Sequence, residues 1–128
     1  MTDSAMMAKC KARLLELSEK ELQDAAIKIL KHYPRLVFWP NPSGRAKRCG
    51  QWLKYGEPGS PDIIGIMPNG KFVGIEFKTK TGTFRPDQVR FREKCEVRHA
   101  LYFVIRDLDD LKPLLKLLEK GEEHNDNL

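Results

Sequence analysis

The chain has 128 residues, of which 41% are hydrophobic and 32% charged. That is the size of one compact domain with enough apolar side chains for a core, which excludes global disorder. No apolar run approaches the roughly 18–20 residues of a membrane span, and the charged N-terminal stretch MTDSAMMAKCKARLLELSEKE lacks the apolar centre of a signal peptide. Cys10, Cys49 and Cys95 are odd in number and far apart, so they fit neither a zinc pattern nor a disulfide framework and are expected to be reduced thiols of a cytoplasmic protein. The net charge of +5 is unevenly placed: residues 107–128 hold seven acids and three lysines, and the first 106 residues carry a net +9. A basic body favours a polyanionic partner, nucleic acid first, although ordinary solubility charge gives the same composition.

In chain order, residues 4–17 are compatible with a first helix. Ser18-Glu19-Lys20-Glu21 then reads as a capping box, with the serine accepting from the backbone and Glu21 reaching back. Leu22, Ala26, Ile29, Leu30 and Tyr33 recur at helical spacing until Pro34. Residues 35–39 (RLVFW) form a short branched and aromatic strand. Residues 40–60, rich in Gly, Pro and basic side chains, read as a long irregular loop. Residues 62–67 and 71–78 are two strands joined at Pro68-Asn69-Gly70, a hairpin. Pro86 suits the first turn of a helix reaching about Arg98. Residues 99–105 (HALYFVI) read as a strand buried on both faces. Residues 107–119 form a last amphipathic helix with Pro113 at a bend or a late start, followed by a polar tail. A meander followed by a strand–helix–strand crossover implies a mixed sheet flanked by helices.

The chemistry concentrates on Pro61-Asp62 and Glu76-Phe77-Lys78. Residues two apart in a strand share a face, so Glu76 and Lys78 point one way and Phe77 the other. A hairpin centred on Asn69 sets Asp62 opposite Glu76, with side-chain roots about 5 Å apart. Two carboxylates so placed repel unless a cation satisfies both, and hard oxygen donors favour Mg2+, with Mn2+ as a substitute. A lysine beside them can orient water or stabilise charge on a phosphate. An ordinary cross-strand salt-bridge ladder fits the same spacing. Arg45, Lys47, Arg48 and Lys54, interleaved with Trp52 and Tyr55, suit phosphate contacts and stacking or a simply solvated loop. No phosphate-binding glycine loop is present, so no nucleotide cofactor is expected.

At these residues the chain resembles the PD-(D/E)xK nuclease superfamily. Residues 18–23 (SEKELQ), 59–63 (GSPDI), 75–78 (IEFK) and 86–88 (PDQ) together resemble its VRR-NUC branch, over about residues 18–111. The resemblance implies a single α/β domain with a restriction-endonuclease-like core, in the order α-β-β-β-α-β-α. That core would span about 18–119, with 120–128 as the polar tail. It implies a metal-dependent endonuclease for branched DNA such as Holliday junctions or flaps, acting as a homodimer. Asp62 and Glu76 would be metal ligands, with the Phe77 carbonyl a further one, Lys78 the catalytic lysine and Gln88 an extra polar group at the site. The N-terminal acid would be Glu19 or Glu21. Glu19 shares the helix face of Leu22 and Ala26, and Glu21 is accounted for by the capping box. Lys80 and Arg85 join Arg45, Lys47, Arg48 and Lys54 as expected DNA contacts. A non-catalytic DNA-binding module on the same fold is the alternative.

Overall fold

The computed structural model describes residues 17–125, the last five by their backbone alone. The helix expected over 4–17 lies, Leu17 apart, outside the described residues. Helix α1 covers Glu19–Leu30 and starts where the sequence places it. Ser18 Oγ accepts from the Glu21 N–H at 3.1 Å, so the serine half of the capping box is formed. The spacing of Leu22, Ala26 and Leu30 buries one stripe of this helix.

Strands β1 (Val37–Pro40), β4 (Ile63–Ile66), β5 (Phe72–Phe77) and β6 (Leu101–Ile105) form one sheet in the order β1-β4-β5-β6. The first two pairings are antiparallel, and β5 with β6 is parallel, which makes the sheet mixed. The parallel pairing needs a crossover, which helix α2 (Pro86–Val97) supplies. Pro86 occupies the first turn of α2 as expected. After β6 the chain makes a 3-10 turn (Leu108–Leu111) and then helix α3 (Lys112–Asn125). Pro113 therefore marks a late start. The α3 backbone also runs helical to Asn125, where a polar tail was expected from residue 120.

The sheet separates two chemistries. Ile63, Val73, Ile75, Phe77 and Ile105 share one face and pack with Leu22, Ala26 and Leu30 of α1 and Leu114 and Leu118 of α3. Fully burying each such side chain stabilises the fold by about 1.5–3 kcal/mol. The other face carries Glu76 and Lys78 under the start of α2. Alternation along β5 thus assigns core to odd positions and site to even ones, with Phe77 in the core as expected.

Two expectations are corrected. Residues 40–60 are not an irregular loop, because β2 (Gly44–Arg48) and β3 (Gln51–Tyr55) pair as a separate antiparallel ribbon. Its turn residues Cys49 and Gly50 both have positive φ, 52° and 78°, as a type I′ turn requires. Strand β6 is not buried on both faces: it lies at the sheet edge, and only Ile105 of its five residues is buried. The observed order is α-β-β-β-β-β-α-β-α, with the extra pair of strands outside the core sheet.

Candidate active site

The β4–β5 ladder pairs Ile63 with Ile75 and Ile66 with Phe72. Continued by one residue, this register sets Asp62 opposite Glu76, as the hairpin centre at Asn69 predicts. Asp62 is anchored there by the Phe77 N–H, which donates to its Oδ2 at 2.8 Å. Glu76, Lys78 and Gln88 are buried, at 3%, 7% and 5% exposure. Charged groups at such exposure persist only with partners.

Gln88 supplies the link. Its Oε1 accepts from Lys78 Nζ at 2.9 Å and from the Arg85 N–H at 3.0 Å, and its Nε2 donates to Glu76 Oε1 at 3.1 Å. Two donors on one oxygen fix the amide orientation. Lys78 Nζ lies 4.0 Å from Glu76 Oε1, so the amide spaces the ammonium from the carboxyl. Gln88 is held by its backbone: α2 begins against Gly59, where a Cβ would lie 2.2 Å from the Asp87 carbonyl oxygen and 2.8 Å from the Gln88 nitrogen. With φ at +77°, residue 59 suits glycine on conformation as well.

The carboxyl pair is short of a counter-charge. Burial first, then the neighbouring Asp62 carboxylate, pushes Glu76 up to about 8. Burial also raises Asp62, against the Phe77 N–H that favours its charged form. Burial thus holds both carboxyls above their ordinary values, and Glu76 is raised further by the Asp62 charge. Glu76 Oε2 is buried without a hydrogen-bond partner. A cation beside both carboxyls would offset that cost. Among the described residues, however, no group of three His, Cys, Asp or Glu side chains is gathered closely enough to hold a metal ion. Two carboxylates form the core of the site, and Glu19 at the start of α1 stands near enough for its charge to raise Asp62 further.

Three residues near the site are not singled out by sequence. Two cations lie over the Phe84 ring, Lys78 Nζ at 5.3 Å and the Arg92 guanidinium at 5.6 Å from its centroid. Tyr102, on β6, is next to Gly74 in the ladder and shares the face of Glu76. Its hydroxyl is buried and unpartnered, and burial and the Glu76 charge raise its pKa. Arg106 Nη1 donates to the carbonyls of Thr79 at 2.7 Å and Gly82 at 2.8 Å, clasping the loop between Lys78 and α2. Its signal in the sequence is position: it directly follows the strand parallel to β5.

The expected DNA contacts fall into groups. Arg45, Lys47, Arg48 and Lys54 are exposed on the β2–β3 ribbon, but Arg48 pairs with Gln51 on the opposite face from the other three. Lys80 is exposed in the loop after β5, and Arg85 is exposed at the N-cap of α2.

No family model matches the chain, and no curated protein matches it. A solved structure titled "VRR_NUC domain" is similar to it, with a TM-score of 0.55 over 77% of this chain and 94% of that one, at 21% identity. The fold is that of a VRR-NUC domain. The mixed sheet and the helices that flank it are therefore those expected of a restriction-endonuclease-like core. No helix among the described residues is long and apolar enough to cross a membrane.

Proposed function

We propose that this chain is a metal-dependent endodeoxyribonuclease that hydrolyses phosphodiester bonds in branched DNA. One observation carries the reading: buried Glu76 and part-buried Asp62 share a single ammonium, Lys78, which Gln88 holds 4.0 Å from Glu76 Oε1, while Glu76 Oε2 has no partner. The VRR-NUC fold supports the same class.

The donor set fits a hard divalent cation, Mg2+ with Mn2+ as substitute. Asp62 and Glu76 would hold it, with Glu19 and the Phe77 carbonyl as further oxygen donors. Mg2+ is commonly held by one or two carboxylates with water and substrate phosphate completing its shell, so a site lacking a third close acid remains suitable. When bound, such an ion activates water and neutralises charge on phosphate oxygens. The residues do the rest. Lys78 presents a fixed positive charge where negative charge develops on the phosphate. Gln88 aims that charge, and Phe84 shields the ammonium from water. Basic residues of the β2–β3 ribbon, Lys80 and Arg85 supply general attraction for the DNA backbone. Paired cuts in a four-way junction call for two sites related by symmetry, hence a two-fold dimer.

Cleavage of supercoiled plasmid and of a four-way junction with Mg2+ tests this, alongside Asp62→Ala and Lys78→Ala. Wild type should cut, and each variant should lose about 10²-fold or more. Cutting that survives both substitutions refutes the site. Binding without cutting by the wild type would identify a non-catalytic DNA-binding module.

A further inference from the structure

The β2–β3 ribbon is two-sided. Its register sets Arg45 opposite Lys54 and Lys47 opposite Trp52. Cross-strand partners share a face. One side therefore carries three cations and Trp52, and the other carries Ala46, Leu53 and Tyr55 with Arg48 and Gln51 at the turn end. All ten strand residues are exposed, Trp52 to 67%. The segment from Asn41 to Gly56 contains no acid, and among the described residues neither Arg45 nor Lys54 forms a salt bridge. Like charges directly opposite each other weaken a ladder, and a two-stranded ribbon is marginal to begin with. An anion between Arg45 and Lys54 turns that repulsion into attraction.

The structure provides a place for one. Between the foot of the ribbon and the first turn of α2 lies a cleft of about 320 Å³, lined by Arg45, Lys54, Tyr55, Gly59, Arg85 and Asp87 among others. Three cations face one carboxylate, and Asp87 Oδ1 already accepts from the Gln88 N–H at 2.9 Å and Arg85 Nε at 3.5 Å. The cleft adjoins the carboxyl pair, since Asp87 lines it and the next residue, Gln88, donates to Glu76. The foot of the ribbon is also fixed. Asn41 Nδ2 donates to Ser60 Oγ at 2.8 Å and to the Pro61 carbonyl at 2.9 Å, and its backbone N–H donates to the Asp62 carbonyl at 2.8 Å.

We propose that this cleft is a subsite for a backbone phosphate of the duplex flanking the bond to be cut, with Lys47 and Trp52 lying along the adjoining groove. The proposal rests on the nuclease reading and adds to it where the duplex lies. A two-stranded ribbon fits the major groove, which is about 12 Å wide. Arg45, Lys54 and Arg85 hold the phosphate, and the Asn41 clamp sets its distance from Asp62. The ribbon provides binding and register and takes no part in the chemical step.

The probe is a fluorescein-labelled four-way junction with arms of about 10 base pairs, one helical turn each. Binding is read by anisotropy across a salt series in EDTA, and cleavage by single turnover at saturating protein with Mg2+. Arg45→Gln/Lys54→Gln should flatten the slope of log affinity against log salt by about 0.9, the value for one neutralised phosphate. Lys116→Gln, an exposed cation on α3, should leave the slope unchanged. Arg45→Lys/Lys54→Arg keeps both charges and should keep the slope, which separates loss of charge from collapse of the ribbon. An unchanged slope in the double glutamine variant overturns the subsite and leaves the nuclease reading intact, provided the wild type cuts. Equal flattening by Lys116→Gln, or loss of slope in the charge-conserving variant, overturns it too. A wild type that neither binds nor cuts the junction overturns both readings.

Discussion

Replacing Glu76 with glutamine should make the metal-free protein more stable, by an amount that grows as pH rises from about 4.5 to about 8. Glu76 is 3% exposed, its Oε2 has no partner, and burial with the Asp62 charge pushes its carboxyl from an ordinary 4.5 up to about 8. Between those values the folded protein keeps a proton that the unfolded chain has released. Stability is therefore full below about pH 4.5 and is lost as pH rises through about 8. The separation corresponds to a ceiling of roughly 5 kcal/mol. Water entry and relaxation around the carboxyl consume part of it, so about half should be seen. An amide at this position keeps the volume, accepts the Gln88 hydrogen bond and needs no proton. Thermal melts in EDTA between about pH 5 and pH 9 bracket the transition. The two proteins should melt together at the acid end and separate by about 10 °C at the alkaline end, taking about 4 °C per kcal/mol at this size. Adding Mg2+ should stabilise wild type increasingly as pH rises, because ion binding displaces the proton, and should do little for the variant. Parallel melting profiles in EDTA would refute a buried, proton-holding Glu76 and with it the argument that the pair awaits a cation.

Gly59→Ala should cost about 3 kcal/mol in urea unfolding and reduce cleavage, because the new Cβ meets the Asp87 carbonyl at 2.2 Å and tilts Gln88 away from Lys78. An alanine variant with wild-type stability and activity would show that this contact does not position Gln88. Tyr102→Phe should have the opposite sign. It removes a buried hydroxyl that has no partner, so the metal-free variant should gain about 1 kcal/mol. A loss of that size, measured in the same unfolding experiment, would mean that an ordered water satisfies the hydroxyl.

How much could be read in advance depends on where each residue's partners lie. Asp62 and Glu76 were legible because the Pro68-Asn69-Gly70 turn fixes the register of a short hairpin, and the ladder confirms it at Ile63–Ile75 and Ile66–Phe72. The start of α1 and Pro86 at the start of α2 were legible from local hydrogen-bonding and ring geometry. The β2–β3 ribbon was not. Both of its faces meet solvent, so no apolar alternation marks it, and its turn is Cys49-Gly50 rather than the Asn-Gly or Asp-Gly that signals a tight hairpin. Strand β6 misled for a different reason. Its apolar run fits a central parallel strand, but strand order is a global property, and the sheet ends at β6. Gln88 was assigned by resemblance alone, because its bond to Lys78 spans ten residues across two elements. Tyr102 sits in an apolar run that conceals a hydroxyl facing the site.

The Asn41 amide reaches nineteen and twenty residues along the chain to Ser60 and Pro61, at the place where the chain leaves the main sheet and returns to it. Everything between is hung from one knot. Lengthening, shortening or exchanging that segment should leave the pairing of β1, β4 and β5 undisturbed, so the ribbon can diversify while the carboxyl pair stays in place. A transplant of the segment between scaffolds should carry its preference with it, and the knot, rather than the ribbon, is what the recipient must supply.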